Sequence, residues 1–172
     1  MVAVAVAFSD AGWLALRIDL PFRQARRRGP PVGSQARDRE GIRQAAHALA
    51  ELAPRVPLHL AGHSYGGRMS TMLAAEDPGV AQALLLLSYP LHPTAQPTKL
   101  RVEHFPNLRT PALFVHGTRD PFGSIEAMKA AIRSIPARTG LIPIEGAGHG
   151  LAPKLAPQIT SWFSDFLGDD SE

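Results

Sequence analysis

The stretch Leu58-His59-Leu60-Ala61-Gly62-His63-Ser64-Tyr65-Gly66-Gly67-Arg68-Met69 decides how this sequence is read. Its first four residues are a short, mostly apolar run and predict a strand. From Gly66 to Glu76, the residues Met69, Met72 and Leu73 fall on one helical face and predict a helix. Between the two lies Gly62-His63-Ser64-Tyr65-Gly66, a G-x-S-x-G pattern. Alone, that pattern arises by chance. Between a strand and a helix it describes a nucleophile elbow, a turn so tight that the positions flanking the serine must be small. Gly62 and Gly66 are the expected small residues. Ser64 would then stand at the C-terminal edge of a sheet, near a helix N-terminus whose dipole favours developing negative charge.

A serine hydroxyl is a poor nucleophile near neutral pH, so it needs a base, and the base needs an orienting group. Ala112-Leu113-Phe114-Val115 reads as a strand, and Asp120 follows it in His116-Gly117-Thr118-Arg119-Asp120-Pro121. Gly140 to Ile144 reads as another strand, and His149 follows it in Gly146-Ala147-Gly148-His149-Gly150. All three candidates thus follow strands, in the order Ser, Asp, His expected of such an architecture. Each has a plain alternative reading: a capping serine, a turn aspartate, a surface-loop histidine. Three concordant placements weigh against coincidence. Ser64 is the candidate nucleophile, His149 the general base and then acid, and Asp120 the group that fixes the imidazole.

Working outward, Trp13 to Asp19 predicts a further strand ending at Leu20-Pro21. Phe22 to Gln35, rich in Arg, Gly and Pro, predicts a loop. Ile42 to Leu52 predicts a helix, and Ala83 to Ser88, with four consecutive leucines, a strand buried on both faces. Pro90 to Pro111 reads as a long polar connection. Ser124 to Ser134 predicts a helix capped by Ser124, and Leu155 to Leu167 an amphipathic closing helix. Strands alternating with helices argue for an α/β fold, a mostly parallel sheet flanked by helices. The length of 172 residues gives one domain, 1–168, with an acidic frayed tail at 169–172.

Composition narrows the chemistry. There are no cysteines, which excludes disulfides, thiolate metal sites and a cysteine nucleophile. The remaining histidines show no metal-ligand spacing, so neither a metal nor a cofactor is expected. No apolar run reaches the roughly 20 residues needed to span a bilayer, and Met1 to Phe8 lacks the basic start of a signal peptide. A cytoplasmic protein without a membrane partner is expected. Eight arginines, Arg17 to Arg43, fall in the first quarter of the chain. They are read as a solvated loop, as contacts to an anionic substrate, or as a nucleic-acid surface; no aromatics interleave them, and no nucleic-acid partner is expected.

Taken together, these motifs resemble the α/β-hydrolase superfamily over about Ala11 to Phe166. They are similar in particular to its small, lidless branch near dienelactone hydrolase and the testis-expressed-protein-like hydrolase domains. The residues that carry the resemblance are Arg17 to Phe22, Gly62 to Arg68, Ser88-Tyr89-Pro90-Leu91-His92-Pro93, Lys99 to His104, His116 to Gly123, and Gly148-His149. The resemblance implies the triad Ser64, Asp120, His149 and an oxyanion donor at the backbone of Tyr65. Phe22, Arg26, His63, His92 and Phe122 are the candidate substrate contacts. It also implies a strand and loop ahead of the strand Trp13–Asp19, and a second oxyanion donor from that loop. Neither is seen in Met1 to Gly12, which reads best as a helix tail; the alternating Val2 to Phe8 is the alternative, a strand. A start codon placed too late is the simplest account.

The expected function is cleavage of a small ester, thioester or related acyl bond through an acyl-enzyme on Ser64, by a monomer or homodimer. The alternative is a catalytically weak or inactive scaffold of the same fold.

Overall fold

The computed structural model describes residues 1–168, so the tail 169–172 lies outside the described residues. Four strands form one parallel sheet in the order β1-β2-β3-β4: β1 (His59–His63), β2 (Ala83–Leu87), β3 (Ala112–Gly117) and β4 (Thr139–Ile144). The α-helices of the described residues are α1 (Val2–Asp10), α2 (Pro21–Ala25), α3 (Gln35–Leu52), α4 (Tyr65–Glu76), α5 (Ile125–Ile132) and α6 (Ala156–Gly168). The register runs Gly62 opposite Leu86 and Leu86 opposite Phe114.

The leucine run of β2 shows how the sequence makes the layers. Successive strand side chains alternate faces. Leu84 and Leu86 therefore pack with Ile42, Met69, Leu73 and Met128 from α3, α4 and α5. Leu85 and Leu87 pack on the other face with Val4 and Phe8 of α1 and with Ile159 and Phe163 of α6. Each fully buried leucine contributes about 1.5–3 kcal/mol. The helical reading of the first residues holds: α1 covers the sheet, and Phe8 meets Trp13 edge-on at 5.2 Å.

Three expectations need correction. First, Trp13 to Asp19 forms no strand. A strand exists only through its ladder, and among the described residues no hydrogen bond joins the backbone of residues 14–18 to any partner. Between this segment and β1 lies an apolar slot of about 280 Å³, lined by residues such as Leu14, Leu16, Ile18, Leu58 and Leu60. Among the described residues β1 pairs only with β2, and its other edge faces this slot. Second, the loop expected from Phe22 begins as helix α2, with Pro21 at its first turn. Helix α3 also starts earlier than Ile42, because Ser34 caps it by accepting from Arg37 N at 3.4 Å. Third, the connection from Pro90 to Pro111 is not a polar surface loop throughout. Leu91, Phe105 and Leu108 are fully buried, and Phe105 packs at 5.4 Å from Tyr89.

Candidate active site

Ser64 sits between β1 and α4 with φ 53° and ψ −120°, a conformation that residues other than glycine rarely adopt. The ladder holds this strain, since Ser64 N donates to Leu87 O at 2.8 Å. Close packing holds it too, though not at both expected glycines. A Cβ on Gly62 would lie 2.4 Å from Gly67 N, and one on Gly67 would lie 2.9 Å from Gly62 O. A Cβ on Gly66 would meet nothing within 4 Å. The tight pair is therefore Gly62 and Gly67, because β1 crosses α4 at those two residues.

The structure brings Ser64, His149 and Asp120 together. His149 Nε2 lies 2.7 Å from Ser64 Oγ, and His149 Nδ1 lies 2.9 and 3.1 Å from the two Asp120 oxygens. A carboxylate only accepts, so Nδ1 carries the proton and Nε2 is free to accept the serine hydroxyl. The Asp120 side chain is inaccessible to solvent. Burial pushes its carboxyl up, but the bond from His149 and the Phe122 N–H at 2.9 Å outweigh burial, and the group lies below its ordinary value. The carboxylate thus stays ionised where it faces the imidazole.

Asp120 and His149 are also fastened as one body. Thr118 N donates to Ile144 O at 3.0 Å, Arg119 N to Ala147 O at 2.9 Å, and Gly146 N to Thr118 Oγ1 at 2.9 Å. Gly117 permits the approach, since a Cβ there would lie 2.3 Å from Ala147 O.

The other candidates divide. Phe122 packs at 4.3 Å from the His149 ring, and Phe22 meets the ring of Tyr65, the residue after Ser64, edge-on at 5.1 Å. His63 is a support for the base, because its Nε2 donates to His149 O at 2.9 Å. Burial pulls its pKa below the ordinary histidine value, which keeps the ring neutral. His92 donates from Nδ1 to Pro93 O, and its backbone N–H donates to Phe122 O at 3.0 Å, so it holds the loop that carries Phe122. Arg26 is exposed, and no contact joins it to the relay. Arg23 lies with its guanidinium 4.8 Å from the centre of the Phe22 ring, which itself packs on Tyr65. Arg26, Arg27 and Arg28 form no ion pair among the described residues.

One nearby residue was not singled out by sequence. Asp38 is 1% exposed and accepts from Phe22 N at 2.9 Å and from Tyr65 Oη at 2.6 Å. It is hidden in the charged run Arg37-Asp38-Arg39-Glu40. Its spacing four residues before Ile42 was the available signal, since that places both on the buried face of α3.

No group of three His, Asp or Glu among the described residues could hold a metal ion, and no helix of the described residues is long and apolar enough to cross a membrane.

A family model described as an alpha/beta hydrolase domain matches residues 1–161. The chain belongs to the α/β-hydrolase family. Solved structures share the fold. TT1662 from Thermus thermophilus is 26% identical with a TM-score of 0.73, covering 96% of this chain and 82% of that one. A dienelactone hydrolase from Anabaena variabilis is 22% identical with a TM-score of 0.73, covering 95% and 76%. An alpha-beta serine hydrolase homologue from Coxiella burnetii is 16% identical with a TM-score of 0.66, covering 98% and 74%. As an α/β-hydrolase the chain keeps the parallel sheet and the loop positions from which Ser64, Asp120 and His149 converge.

Proposed function

We propose that this α/β-hydrolase is a serine hydrolase that cleaves a small ester, thioester or related acyl bond. The observation that carries the reading is the continuous relay from Ser64 Oγ through His149 to Asp120, with contacts of 2.7 and 2.9 Å. Ser64 Oγ attacks the acyl carbon while its proton passes to His149 Nε2. Asp120 stabilises the resulting imidazolium. The carbonyl oxygen becomes an oxyanion and is received by the N–H of Tyr65 at the start of α4, where the helix dipole adds to the attraction. Collapse of this intermediate breaks the bond to the leaving alcohol or thiol, which takes the proton from His149 Nε2. Water then gives a proton to His149 and attacks the acyl carbon; the second collapse returns that proton to Ser64 and frees the acid.

The aromatic rings of Phe22 and Phe122 suit a small apolar acyl or leaving group. Arg26, Arg27 and Arg28, in the loop after Phe22 and without an ion pair among the described residues, support a preference for substrates that also carry a negative charge. Replacing Arg26, Arg27 and Arg28 by Ala and finding KM for anionic esters unchanged would remove that preference from the proposal.

The test of the reaction is intact-mass labelling with a fluorophosphonate, with Ser64→Ala as control. A single adduct on Ser64 is expected. Folded protein that takes no label would sink the hydrolase reading and leave an inactive scaffold of the same fold.

A further inference from the structure

Asp38 is a buried carboxylate that the reaction above does not use. Among the described residues no Lys or Arg pairs with it; its partners are the Phe22 N–H and the Tyr65 hydroxyl. Burying a polar side chain costs free energy unless it is hydrogen-bonded, so its two donors call for a physical account. The carboxylate joins three elements. It stands in the first turn of α3, takes an N–H left open at the start of α2, and holds the first residue of α4 by the far end of its side chain. That residue is Tyr65, whose own N–H is the proposed oxyanion donor. Its ring is restrained at one end by the 2.6 Å bond to Asp38 and along its edge by Phe22 at 5.1 Å.

We propose that Asp38 is a positioning residue for the oxyanion donor: by gripping the Tyr65 phenol it fixes the peptide N–H that follows Ser64. The assignment rests on the hydrolase reading above. The peptide that joins Ser64 (φ 53°) to Tyr65 is held at its carbonyl by Arg68 N at 3.1 Å, and the Asp38 bond adds a second restraint on Tyr65, through its side chain. Removing an oxyanion donor outright costs roughly 10²–10³ in kcat. A donor that is displaced rather than removed should cost about 10–100-fold on the same scale.

The experiment compares wild type, Asp38→Asn, Asp38→Ala, Tyr65→Phe and the double variant Asp38→Ala/Tyr65→Phe on 4-nitrophenyl acetate. Ki for a trifluoromethyl ketone, which forms an oxyanion adduct, is measured alongside. Tyr65→Phe and Asp38→Ala should lose about 10–100-fold in kcat, with KM nearly unchanged and Ki rising in step. The double variant should be no worse than the poorer single variant, because both cut one link. Asp38→Asn should recover most of the activity, since its amide accepts from Phe22 N–H and donates to Tyr65 Oη. If Asp38→Ala does not fold, Tyr65→Phe and Asp38→Asn still decide. Wild type inert to both ester and fluorophosphonate would overturn the hydrolase reading and this inference with it. An active wild type with Tyr65→Phe unchanged in kcat and Ki would overturn the role of Asp38 alone. So would additive losses that track only a falling melting temperature.

Discussion

His63 Nε2 donates to the backbone carbonyl of His149 at 2.9 Å, and the two rings lie 5.2 Å apart. The residue before the nucleophile therefore holds the backbone of the base. A fault in this bond moves the imidazole relative to the hydroxyl, and a misplacement of about 1 Å can cost 10²-fold in rate. His63→Leu is expected to lower kcat at least about tenfold on that ground and to leave the His149 carbonyl without a donor. His63→Gln, whose amide can donate to the same oxygen, is expected to keep most of the activity. Steady-state kinetics on one ester separates the two; equal losses would show that the bond does not matter.

The glycines of the elbow should behave differently from one another. Gly66→Ala adds a methyl where nothing lies within 4 Å, at the start of a helix. It is expected to be neutral or stabilising by about 0.5 kcal/mol, through reduced freedom of the unfolded chain. Gly67→Ala drives a methyl to 2.9 Å from Gly62 O and is expected to destabilise by about 1–3 kcal/mol. Urea unfolding midpoints at fixed pH measure both.

How much of this was legible before the fold was known follows from what each signal depends on. The Ala83–Leu87 run announced a doubly covered parallel strand, because a continuous apolar segment has few other uses. Ser64, Asp120 and His149 were legible because each follows a strand in a turn rich in glycine. The pattern G-x-S-x-G, however, points at Gly66, whereas the contact that matters is made by Gly67, across the crossing of β1 and α4. Trp13 to Asp19 has strand-like composition, but a ladder partner is a property of the fold and not of the segment. Asp38 was masked by its charged neighbours, since composition alone assigns such a run to solvent.

Acid should weaken the fold through His104. Its Nε2 donates to Thr71 Oγ1 at 2.8 Å, and burial pulls its pKa from an ordinary 6.5 down to about 4. Between these values the unfolded chain binds a proton that the folded chain refuses. Stability is therefore complete above pH 6.5 and falls as pH drops towards 4. Asp120 is shifted downward and acts only below this window. His104→Gln should reduce the pH dependence of the urea midpoint between pH 6.5 and 4, leaving the part carried by His59 and His63, whose pKa values burial also lowers; an unaltered slope would assign the whole effect to those two.

Amide hydrogen exchange should map the uneven sheet. β2 and β3 have partners on both sides, and their amides are expected to exchange only through global unfolding. Residues 14–18, without backbone partners, should exchange at rates close to those of an unstructured chain. Protection across 14–18 comparable with β2 would show that the slot is closed in solution.

That unevenness has a consequence for how activity is lost on heating. Asp120 and His149 travel together, tied by the bonds between their loops, whereas Ser64 directly follows β1, which has one neighbouring strand among the described residues. Fraying of β1 disconnects the hydroxyl from the imidazole while β2, β3 and β4 persist. Inactivation should then come several degrees below the loss of helical signal, and cooling from that interval should restore the relay without refolding the rest of the molecule.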